Sequence, residues 1–78
     1  MEVVQDGFVI FMVERYSDSV SPDAMQIRNT RAKELRKQGF NVVCKKYDFT
    51  DLARSCAYVL EATLPGWEFH SMGGWRRI

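Results

Sequence analysis

The stretch Phe8-Val-Ile-Phe-Met-Val-Glu-Arg-Tyr16 constrains this chain most, because it reads as a β-strand with apolar side chains on both of its faces. Successive side chains of a strand point to opposite sides, so Phe8, Ile10 and Met12 share one face while Val9, Phe11 and Val13 share the other. A strand of this kind needs a layer of structure on each side of its sheet. Seventy-eight residues hold one hydrophobic core, and the expectation is a single domain spanning residues 1–78. One sheet face can pack under helices, and the other is left for the chain ends or a partner to cover.

The remaining elements follow from local signals. Asp6-Gly7 is a two-residue hairpin signal that would fold Val3 and Val4 back on Val9 and Ile10. Ser21-Pro22 offers a helix start and Gly39 a stop, which predicts a helix over Pro22–Gln38 with an apolar stripe of Ala24, Ile27, Ala32 and Leu35. Phe40 to Tyr47 reads as a second strand, and the helix before it is long enough to cross between parallel neighbours. Asp48 or Thr50 caps a second expected helix, in which Leu52, Cys56, Val59, Leu60 and Thr63 recur at helical spacing until Leu64-Pro65-Gly66. Trp67 to Met72 reads as a third strand, with Gly73-Gly74 turning into a short last strand at Trp75–Ile78.

The expected fold class is therefore α+β, with α/β-like alternation. It is a small mixed sheet of three to five strands in the order (β)βαβαββ, with two helices mostly on one face. The βαβ start resembles ferredoxin-like domains, but the order of the later elements departs from that pattern and no functional residue is carried over.

Charge and composition narrow the function classes. A composition of 46% hydrophobic and 27% charged residues is that of a globular chain, which sets disorder and fibrous classes aside. The longest apolar run, Phe8 to Val13, falls far below the roughly 20 residues of a membrane-spanning helix, so no membrane association is expected. Met1-Glu2-Val3-Val4 has neither the positive start nor the apolar stretch of a secretory leader, and the expected compartment is the cytoplasm. There Cys44 and Cys56 are read as thiols rather than a bridge. A net charge of +1 gives little long-range attraction for polyanions, so any such binding must come from local patches.

Two arginines stand out. Arg28 and Arg31 fall inside the apolar stripe of the first helix, where a guanidinium must be paired, must reach the edge, or must meet an external anion. An internal pair with Glu14 or Asp48 competes there with acidic groups of a partner or a phosphate backbone. A basic surface can be assembled from Arg31, Lys33, Arg36, Lys37, Lys45 and Lys46, with Arg76 and Arg77 elsewhere. If Phe11, Tyr47 and Lys45 share an open sheet, rings and cations together suit single-stranded nucleic acid.

The catalytic signals are absent. Ser17, Ser19, Ser21, Cys44, Cys56 and His70 stand in no nucleophile elbow, phosphate loop or metal-ligand spacing. No cofactor, metal or small-molecule substrate is expected. The leading expectation is a small non-enzymatic protein–protein interaction module, an inhibitor or adaptor that occludes or bridges a macromolecular partner, with Arg28, Arg31, Arg36, Lys37, Lys45, Phe11 and Tyr47 at the partner-binding site. Homodimerisation is an alternative use of the spare sheet face. Short stand-alone proteins of this kind include phage and mobile-element products directed at host nucleic-acid machines. The second reading is a single-stranded RNA or DNA binding domain using the basic helix and aromatic sheet, and a small enzyme comes third.

Overall fold

The computed structural model describes residues 1–49 and 55–78. Among these the chain is a small α+β protein of six strands and one helix in the order β1 (Glu2–Gln5), β2 (Phe8–Ser17), α1 (Ala24–Lys37), β3 (Asn41–Phe49), β4 (Ser55–Thr63), β5 (Trp67–His70) and β6 (Gly74–Arg77). The strands form a four-stranded sheet ordered β1-β2-β4-β3 and a separate β5-β6 hairpin.

The first turn forms as its residues dictate. Asp6 and Gly7 both take positive φ, 53° and 80°, which is the requirement of a type I′ hairpin. Val4 pairs with Val9 as expected, and the register then slips so that Val3 faces Phe11. Ile10 is the extra residue of this bulge, and it is fully buried.

The helix begins two residues later than the sequence predicts. Ser21 and Asp23 make a preliminary turn in which the Ala24 amide donates to the Ser21 carbonyl. Its other end follows the glycine. Gly39, at φ 101°, donates to the Arg36 carbonyl while Phe40 donates to that of Leu35, which is the double bond of a Schellman stop. Phe40 then packs on the core beside Leu35.

Among the described residues the second expected helix is replaced by a strand. Thr50 and Leu52 lie outside the described residues, and Ser55–Thr63, where Cys56, Val59, Leu60 and Thr63 were to line a helix, is the strand β4. In a run this short with apolar residues on both sides, the i, i+3, i+4 spacing of a helix and the alternation of a strand overlap, and periodicity alone does not choose. Tertiary pairing chooses. β4 lies between β2 and β3, antiparallel to both, from Phe11↔Thr63 to Ser17↔Ala57 on one side and from Asn41↔Thr63 to Phe49↔Ser55 on the other.

This insertion also changes the crossover. β2 and β3 run parallel, since each is antiparallel to β4, but they are not neighbours. The unit is a split βαβ, and every pairing in the expected mixed sheet is antiparallel. Leu60 and Ala62 of β4 meet Met12 of β2 and Leu35 of α1 in the core, with Val42, Phe40 and Tyr16 packed around them. A buried leucine of this kind contributes about 1.5–3 kcal/mol. Ala24, Ala32 and Leu35 of the expected helix stripe are buried, whereas Ile27 remains largely exposed.

Candidate functional site

The two unusual arginines are engaged inside the chain. The Arg31 Nε donates to the Glu14 carboxylate at 3.0 and 3.3 Å, and its Nη2 donates at 3.3 Å. Glu34 takes a further contact at 3.4 Å, and the Tyr16 hydroxyl donates to Glu14 at 2.7 Å. Partial burial pushes the Glu14 carboxyl up, but the Arg31 and Tyr16 hydrogen bonds with the Arg31 charge outweigh it and hold the group below its ordinary value. Burial and the Glu14 bond push the Tyr16 phenol up to about 12. Of the two internal partners expected for these arginines, Glu14 is the one Arg31 takes.

Arg28 leans the other way. It donates to the Lys45 carbonyl of β3 at 3.0 Å and to the Asn29 side chain, and its guanidinium lies 5.3 Å from the Tyr58 ring centre. Arg36 similarly reaches the Val42 carbonyl of β3 at 3.2 Å. The helix is therefore divided by charge. Its β2 flank carries Asp23, Glu34 and Glu14 around Arg31. Its β3 flank carries Arg28 and Arg36, with exposed Lys33 about 60° from Arg36 at 100° per residue, while Lys37 points away from the sheet opposite Ala24, Ala32 and Leu35. Among the described residues none of these four cations forms an ion pair with a carboxylate.

The sheet face away from the helix holds Phe11, Val13, Arg15 and Ser17 of β2, Asn41, Val43, Lys45 and Tyr47 of β3, and Ala57, Val59, Glu61 and Thr63 of β4, as the register requires. The β5-β6 hairpin closes one end of it. Trp75 stacks on Phe11 with ring centres 4.7 Å apart, and Phe69 lies 5.6 Å from Trp75. The other end has no such lid among the described residues, and Val43 and Tyr47 are 55% and 47% exposed. The dimensions agree. The molecule measures 40 × 29 × 16 Å with a radius of gyration of 14.3 Å, against about 11.5 Å for a compact chain of this length. A slab of this thickness holds one sheet and one helix layer, not three layers.

The expected binding residues are thus split. Arg28 and Arg36 lie on the helix flank that faces β3, Arg31 lies on the opposite flank, and Lys37 lies on the outer side of the helix, away from the sheet. Phe11, Lys45 and Tyr47 do share the open face, but they are not one stacking platform. Phe11 sits under Trp75, six residue positions from the level of Tyr47, and Lys45 is paired with Glu61 at 2.7 Å. The sequence reading missed Tyr58, which it assigned to a helix, and with it the contacts of Arg28 and Lys46 to that ring.

The polar groups considered for chemistry are scattered. Cys56 donates its thiol to Asp48 at 2.8 Å, and that carboxylate pushes the thiol up and away from the reactive thiolate. Cys44 is a free thiol on β3. His70 touches Glu68 and Arg76 on the β5-β6 hairpin. Among the described residues no group of three His, Cys, Asp or Glu side chains converges to hold a metal ion, and no helix is long and apolar enough to cross a membrane. Comparison with family models, with curated proteins and with solved structures finds no match to this chain.

Proposed function

We propose that this chain is a small protein-interaction module, an inhibitor or adaptor that acts without catalysis by occluding or bridging a macromolecular partner. The observation that supports the reading is the exposure of Val43 and Tyr47 on β3, at the end of a sheet face that the helix layer does not reach, although Ala57 and Val59 of the neighbouring strand are buried. Exposed apolar side chains set among polar ones on a sheet face favour a protein surface, which gains from their burial. Single-stranded nucleic acid is less well served. It needs several free rings near cations, and here Phe11 is stacked on Trp75 while Lys45 is paired with Glu61.

The test is capture from host lysate with and without nuclease, using the wild-type chain and the double variant Val43→Glu/Tyr47→Glu. Both positions are exposed, so the variant keeps its fold. One stoichiometric protein that survives nuclease and is lost by the variant supports the reading. Loss of all retained material on nuclease treatment overturns it in favour of nucleic-acid binding.

A further inference from the structure

The two edges of the main sheet differ. β1 is four residues long and its ladder to β2 is broken by the Ile10 bulge, and short, irregular pairing is a common way of blunting an edge. β3 is nine residues long, pairs regularly with β4, and meets no described strand on its outer side. Asn41, Val43 and Lys45 through Asp48 are exposed along it. A long regular edge presents backbone N–H and C=O groups that an additional strand can pair with, here beyond the Val42 carbonyl, which already accepts from Arg36.

The surroundings of this edge are strongly one-signed on one side. On the helix side, Arg28 and Arg36 reach over to the Lys45 and Val42 carbonyls, Lys33 lies beside Arg36, and Lys46 projects from β3 itself. Asp48 is the one acid on this part of β3, and it sits 3.7 Å from Lys46. Glu34, the one acid of α1, lies on its other flank with Arg31. On the opposite side of β3 the exposed groups are Val43 and Tyr47, with Lys45 already neutralised by Glu61. A strand added to β3 would alternate its own side chains between these two environments.

We propose that the β3 edge takes an extended acidic segment of a partner protein as a fifth strand, with carboxylates on the helix side and apolar side chains on the open face. The carboxylates meet Arg28, Lys33, Arg36 and Lys46, and the alternate residues cover Val43 and Tyr47. This rests on the reading of the chain as a protein-interaction module and names the surface and the partner chemistry. A second copy of this chain fits less well, because the same cationic ridge would approach the edge from both protomers. Nucleic acid fits less well too, because it has no backbone donors and acceptors that continue a β-ladder.

The experiment is an NMR titration of the full ¹⁵N-labelled chain with a synthetic ten-residue peptide of alternating Glu and Val or Thr. The controls are the same peptide in shuffled order, a Lys-for-Glu version and a ten-nucleotide single-stranded DNA. The alternating acidic peptide is expected to shift and protect the amides of residues 41–48 and to bind more weakly as salt rises. The shuffled and lysine peptides are expected to do neither. Lys33→Glu/Arg36→Glu/Lys46→Glu, at three exposed positions, is expected to weaken the peptide about tenfold, as the loss of a few exposed ion pairs dictates. Shifts centred on β1, no shift at millimolar peptide, tighter binding of the DNA at the ridge, or a free chain that already dimerises through β3 each overturns the proposal. Its failure is separable from that of the broader reading. A nuclease-resistant protein still captured by the Lys33/Arg36/Lys46 variant but lost by Val43→Glu/Tyr47→Glu removes the edge and leaves the interaction module standing.

Discussion

Replacing Glu14 with Gln, alone and together with Arg31→Gln, decides whether Arg31 belongs to the fold or to a partner. Three N–H···O contacts of 3.0 to 3.3 Å join the two side chains, which are 32% and 26% exposed. Hydrogen bonds to charged groups contribute about 1.5–3 kcal/mol when shielded, and exposed ion pairs about 0.2–1 kcal/mol. With water reaching about a third of each side chain, the expected coupling is about 1 kcal/mol, or about 6 °C in Tm for a chain of this length. Urea unfolding of the wild type, both single variants and the double variant gives that coupling directly. The pH dependence follows from the sign. The carboxyl of Glu14 lies below its ordinary value in the folded chain, so its contribution is complete above the unfolded carboxylate range. It is lost as pH falls through the depressed folded value, and the coupling should vanish there. A coupling under about 0.3 kcal/mol at neutral pH, within the scatter of independent sites, would refute the structural role and return Arg31 to the candidate binding residues.

Other consequences are open to direct measurement. Leu60→Ala, at a fully buried position against Met12 and Leu35, is expected to cost about 2–5 kcal/mol in urea unfolding; a loss below about 1 kcal/mol contradicts the placement of β4 at the centre of the sheet. Gly39→Ala, at φ 101°, should destabilise the chain by about 1 kcal/mol through the helix stop, and an unchanged urea midpoint argues against the Schellman geometry. Trp75→Ala removes the ring stacked on Phe11, so amide exchange should quicken in residues 67–77 while β2, β4 and β3 keep their protection. Equal loss across the whole chain would make the hairpin part of the main cooperative unit. Asp48→Asn takes away the carboxylate that raises the Cys56 thiol, and iodoacetamide at pH 8 should then alkylate Cys56 faster while Cys44 reacts as before. An unaltered Cys56 rate disproves that coupling.

Much of the local structure was legible in the residues. Asp6-Gly7 turned where a two-residue hairpin signal predicts, Gly39 stopped the helix, and Phe8–Tyr16 became the strand whose two apolar faces demanded cover. These are outcomes of backbone sterics and short-range hydrogen bonding, which act within a few residues and leave a mark in the order of side chains. The assignment of residues 55–63 failed for the opposite reason. Cys56, Val59, Leu60 and Thr63 satisfy a helical spacing while Ala57, Val59 and Leu60, Ala62 also fill the two sides of a strand, and no local energy separates the two.

Only the tertiary structure decided the rest. Once β2 and β3 flanked a gap, β4 could satisfy its backbone on both edges and bury Leu60 and Ala62 against α1, which a helix in the same place would not do. That one insertion set which face each residue of β3 occupies, turned Arg31 to Glu14 on one side of the helix and Arg28 to β3 on the other, and made β3 the sheet's terminal strand. The sequence by itself determined that this short chain carries more apolar strand surface than one helix layer can cover, and where its turns and helix stop must fall. Which strand became the edge, which cations lie along it and which part of the face stays open depended on contacts between residues far apart in the chain, and such contacts leave no periodic trace in the sequence.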